Sequence, residues 1–236
     1  GQGFEGMGPD PSVGGQMSFS KMKSDFVDGY LKGHEGTKPH KSLEGGKDTG
    51  AFGVKNSLGL KRSDYKSDKD FAAAVALKHY DATEAAFKSP KIDRFGRNTN
   101  VAGVWEELGE AGRYALTDLH FNTGTVGDSS NASDAKDAIT NTLNYIGMTT
   151  KDKTKASLGS LAKRRAENWN KAADDLGLDK IDKIQQIPSL GGGSLIKYLD
   201  KEGEVVHQVT TSRKPITLKN DGTYTEIKTT REIKIE

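Results

Sequence analysis

Between residues 67 and 87 the chain reads "SDKDFAAAVALKHYDATEAAF", rich in Ala and free of Gly and Pro. Such a run has one good solution, a long α-helix, with Ser67 and Asp68 at its cap. A helix that size must lay an apolar stripe on other elements, and further stretches offer matching stripes. "FSKMKSDFVDGYLKGHEG" places Phe19, Met22, Phe26 and Tyr30 at steps of three and four. It predicts a helix beginning at Ser18 or Ser20, with Glu35 where the helix gives way to glycine-rich chain. "VWEELGEAGRYALTDLHF" (104–121) puts Trp105, Leu108, Gly112, Leu116 and Leu119 on one stripe, again helical. Residues 134–146 read as a further helix, and "KASLGSLAKRRAENWNKAADDLG" (155–177) as another, ending in Gly177. The stretch 122–135 reads as a loop.

After "SLGGGS" the character changes. "EVVHQVTTSRKPITLKNDGTYTEIKTTREIKIE" is rich in Val, Ile and Thr, and "NDG" stands between alternating runs as a hairpin signal. The expected class is therefore α+β: a mainly helical domain with a small β lobe, followed by a β-rich tail. The expected limits are an arm or linker over 1–17, a helical domain over 18–178, and a linker with the β-rich tail over 179–236. The arm rests on "GQGFEGMGPDPSVGGQ", with its many Gly and two Pro. At 236 residues and 33% hydrophobic, the chain suits one ordinary globular domain with polar extensions. The start on Gly and the arm read as a piece of something longer.

Several chemistries drop out. There is no cysteine, hence no disulfide, no thiolate metal site and no cysteine nucleophile. No stretch approaches the roughly 20 apolar residues that span a bilayer, so no membrane insertion is expected. His34 and His40 lie six residues apart, which on a helix turns their directions some 120° from each other. Gly36 and Pro39 also interrupt a helix there, so no metal site and no cofactor are expected. "GGKDTG" lacks the order of a phosphate loop, and no G-x-S-x-G elbow is present. Trp105, Trp169, His79 and His120 sit on helical stripes and read as core or boundary residues.

Carboxylate chemistry remains. "HEGTKPHKSLEGGKDTGAFGV" (34–54) sets three acids among five glycines. Glu35 stands at a helix end, and Glu44, Asp48 and Thr49 follow in the turn. Cleaving a glycosidic bond needs a proton donor at the leaving oxygen, which a carboxylic acid supplies. A second carboxylate, or a water held by an acid and a hydroxyl, meets the oxocarbenium-like centre. Glycines let backbone approach a sugar closely. From residue 32 to 62 seven Lys or Arg stand against three acids, a basic field suited to an anionic polymer. A nucleic-acid partner is not expected, because over most of the chain basic residues alternate with acids and no recognised motif occurs.

Four segments in order give a resemblance. "GHEG" (33–36), "EGGKDTGAFGV" (44–54), "ALTDLHFNTG" (115–124) and "GSLAKRRAEN" (159–168) are similar to successive motifs of phage-type lysozymes in the lysozyme superfamily. The resemblance implies a muramidase cutting MurNAc–GlcNAc bonds, with Glu35 as general acid. It implies Glu44 or Asp48 as the second acid, Thr49 orienting water, and Ala51, Phe52, Gly53 and Asn122 against the glycan. "TGAFGV" and "FNTG" also look like runs of soluble lytic transglycosylases, in which a single Glu acts as acid and then base. The expected partners are peptidoglycan strands and other virion or tail proteins, gripped through the arm and the β tail. The expected place is a phage tail, acting in the bacterial wall. A module that keeps the fold without activity is the rival from another class.

Overall fold

The computed structural model describes residues 17–41, 48–89, 91–97, 103–146, 158–212, 214, 216–218 and 224–236. Contacts divide the chain into two units. One holds Gly1–Ser89 with Leu116–Val126, the other Pro90–Ala115 with Gly127–Glu236. Both helices and an antiparallel sheet are present, so the chain is an α+β protein.

In the first unit, Ser18 caps α1 (Phe19–Lys21) by accepting from the Lys21 N–H. A wider π turn follows over Met22–Leu31, and α2 (Lys32–Glu35) completes the rod. The Lys32 N–H donates to Val27 O, five residues back, as the wider turn requires. Met22, Phe26, Val27 and Leu31 are buried along it. They pack on α3 (Asp68–Lys88), whose run Phe71–Ala76 is wholly buried. Alanines there leave little bulk between the two backbones. Ser67 caps α3 by accepting from the Asp70 N–H, as its place in the sequence predicts. Between the rod and α3 lie a two-stranded ladder, β1 (His40–Lys41) and β2 (Asp48–Thr49), and a tight turn over Ala51–Gly53.

The second unit begins its helices with α4 (Val104–Glu107). The helix expected over 104–121 is interrupted. Gly109 takes a φ of +65°, and α5 (Gly109–Thr123) starts afresh there, running into the first unit's segment from Leu116 onward. Gly103, also left-handed, precedes α4. The stretch expected as loop over 122–135 instead holds the end of α5 and a 3₁₀ turn at Gly127–Asn131. Helix α6 (Ala135–Thr142) is capped by Asp134 and is shorter than the predicted 134–146.

Helix α7 (Leu158–Leu176) stops at Gly177, whose φ is +65°. Asn170 then clamps the turn into the sheet: its Nδ2 donates to Ile181 O (2.8 Å), and its Oδ1 accepts from the Ile181 N–H (2.7 Å). The strands are β3 (Lys183–Pro188), β4 (Ser194–Leu199), β5 (Val205–Thr211), β6 (Ile216–Leu218), β7 (Tyr224–Glu226) and β8 (Arg231–Lys234). Four of them form a sheet in the order β5-β4-β3-β8, antiparallel throughout. Its buried face alternates as a pleat demands, through Ile184 and Gln186 on β3 and Ser194, Ile196 and Tyr198 on β4. The Tyr198 hydroxyl donates to Leu143 O at 2.9 Å, and burial pushes its pKa up. Strands β6 and β7 pair across the expected "NDG" hairpin, whose tip lies outside the described residues.

Candidate functional site

Glu35 is the last residue of α2, and Gly36 caps it with a φ of +73°. The Gly36 N–H still donates to Lys32 O (3.2 Å), so the helix closes under the Glu35 side chain before the chain turns away. That side chain is half-buried.

What lies against it is backbone. The chain re-enters from β2 through Gly50, whose N–H donates to Val54 O (3.0 Å), while the Gly53 N–H donates to Gly50 O (3.1 Å). Two successive residues of this turn are left-handed: Phe52 with φ 59° and ψ 23°, and Gly53 with φ +70°. For Phe52 that conformation costs on the order of 1 kcal/mol or more, held by burial of its ring at 6% exposure. At Gly53 the positive φ disfavours any side chain, and one placed there would push the Glu35 carboxyl aside. A Cβ there would lie 2.5 Å from both Cδ and Oε2 of Glu35. The turn packs on α2, the π segment and α3, so the Gly53 backbone forms a fixed wall beside the Glu35 carboxyl.

The predicted residues are placed unevenly. Glu35 and Gly53 are in direct apposition, and Ala51 and Phe52 belong to the same buried turn. Asn122 is half-buried near the end of α5, beside Phe121, which packs edge-on against Phe26 of the π segment at 6.5 Å. Asp48 and Thr49 are on β2, opposite Lys41 and His40; their side chains lie outside the described residues. Glu44 lies outside the described residues altogether. Trp105 and Trp169 are core residues, at 3% and 2% exposure. Arg165 is buried too, its Nε donating to Tyr145 O.

Sequence reasoning missed the segment behind the turn. Asn56 Oδ1 accepts from the Leu58 N–H (3.2 Å), and Leu58 is left-handed at φ 51°. Two consecutive residues of α3 hold this segment: Lys78 Nζ donates to Leu58 O (3.3 Å), and His79 Nε2 meets Asn56 O at 3.1 Å. An Asn two residues before a left-handed position is the signal available in "NSLGL".

A half-buried carboxyl beside a rigid, side-chain-free wall can give and take a proton against a flat polar group laid along that wall. Among the described residues no group of three or more His, Cys, Asp or Glu could hold a metal ion, and no helix is long and apolar enough to cross a membrane. Compared with protein-family models, curated proteins and solved structures, the chain finds no match in any of the three.

Proposed function

We propose that this chain is a peptidoglycan-degrading glycosidase, a muramidase of lysozyme-like kind, cutting MurNAc–GlcNAc bonds. One observation carries the reading: the carboxyl ending the first helical rod is set against a glycine whose Cβ would strike it, in the turn where the motif order expects the substrate-facing strand. In this mechanism Glu35 protonates the leaving glycosidic oxygen. Glu44 or Asp48, with Thr49, assists the attacking water, and the Ala51–Gly53 turn lines the groove with Asn122 beyond it. The lysine-rich surround of this loop suits a wall polymer carrying carboxylates on its stem peptides. The same reading puts the chain in a phage tail, with the residues before 18 and the β-rich end gripping other virion proteins; its presence in purified particles tests that part.

The chemistry is tested by digesting purified cell walls and weighing the released sugars. Muropeptides with reducing MurNAc ends are expected. Ends of the 1,6-anhydro type would replace the water step with a transglycosylase route through Glu35 alone. Release of no sugar by the folded chain would leave a binding module and overturn the enzyme reading.

A further inference from the structure

Two imidazoles meet in the first unit, one fully buried and the other half-buried. His79 of α3 is fully buried, and its Nδ1 lies 2.7 Å from Nδ1 of His120 on α5. The rings are tilted by 63° with centroids 5.0 Å apart, and Phe121 packs edge-on against His79 at 5.3 Å. At that separation one Nδ1 must donate and the other accept, because two N–H groups cannot face each other. The far side decides which. Asn56 O is a carbonyl and only accepts, so His79 donates through Nε2. A neutral ring has one N–H, which leaves His79 Nδ1 as acceptor and His120 Nδ1–H as donor. Burial keeps His79 neutral, holding its pKa down to about 4, with the Asn56 carbonyl opposing and His120 adding to the depression. Burial also lowers His120.

Asn56 lies three residues past Gly53. We infer that His79 and His120 are a positioning pair: with their tautomers locked, they hold Asn56 and so press the Gly50–Val54 turn onto the Glu35 carboxyl. The pair touches no reacting atom and acts through the backbone of that segment. Its effect on rate rests on the glycosidase reading; its effect on the turn does not.

Two measurements on the full ¹⁵N-labelled chain test this. Long-range ¹H–¹⁵N spectra at pH 7 should show His79 protonated at Nε2 and His120 at Nδ1, each as a single tautomer. Rapid averaging between tautomers, or the opposite assignment, overturns the inference. Amide exchange is then compared for wild type, His120→Leu, and His120→Asn, whose amide can still donate to His79. In His120→Leu the Gly50, Gly53, Leu58 and Leu60 amides should exchange at least about tenfold faster, with helix α3 amides unchanged. His120→Asn should restore most of the protection. On cell walls the same pair should split kcat from KM: kcat falls about tenfold in His120→Leu, KM stays within about twofold, and His120→Asn recovers. Equal exchange in wild type and His120→Leu overturns the positioning role. If wild type leaves walls intact while the exchange pattern holds, the pair still positions the turn, and the glycosidase reading is what fails.

Discussion

Gly53 can be replaced only at the cost of the residue it faces. Its φ of +70° already disfavours any side chain, and a Cβ would sit 2.5 Å from the Glu35 carboxyl. Gly53→Ala should therefore lose about 1–2 kcal/mol of stability in denaturant titration and cut wall-degrading turnover on the order of 100-fold. A variant with wild-type turnover would show that the wall is not part of the site. His79 makes a pH prediction. Its pKa is lowered from 6.5 to about 4, so between those values the unfolded chain binds the proton and the folded chain does not. Stability is full above about pH 6.5 and declines as pH falls, by about 3 kcal/mol on reaching pH 4. Denaturant titrations across that range should show the slope in wild type and a flatter one in His79→Gln.

Helix ends were legible where side chains mark them. Ser18, Ser67 and Asp134 each accept from a backbone N–H near the start of the following helix, and Gly36 and Gly177 end theirs in left-handed conformations. Ser67→Ala should cost about 1 kcal/mol and lower Tm by about 2–4 °C, read by thermal circular dichroism. Other features follow from tertiary packing and leave weaker traces. Apolar spacing in "LGEAGRYAL" fits one continuous stripe, yet the chain breaks at Gly109, because local periodicity does not register a left-handed glycine between two helices. The π turn over Met22–Leu31 is equally silent, since its apolar residues keep steps of three and four. Of the candidate site, the Glu35 helix end and the glycine turn could be read from residue types. The left-handed Phe52 and the His79–His120 contact could not, because one is strain imposed by burial and the other joins residues far apart in sequence.

At the scale of the molecule, the β-rich end is part of a core. Trp169 Nε1 donates to Asp179 O (3.2 Å), Asn170 clamps Ile181, and Tyr198 reaches Leu143 O, all within the second unit. Composition shifts mark where strands begin but say nothing of which helices they cover; here β3 packs on α7. Ending the chain after Leu178 should remove the partners of Trp169 and Leu143, and the product should lose the cooperative melt of this unit by calorimetry. Tyr198→Phe, which leaves the buried Leu143 carbonyl without its donor, should cost about 1–3 kcal/mol. The proposed chemistry turns on the carboxyl at the end of α2. Its most direct test is turnover of purified peptidoglycan by wild type and by Glu35→Gln, with matched circular dichroism and melting. Loss of 100-fold or more in kcat, on the order expected for a missing general acid, is the predicted result. Equal turnover by the two proteins would contradict it.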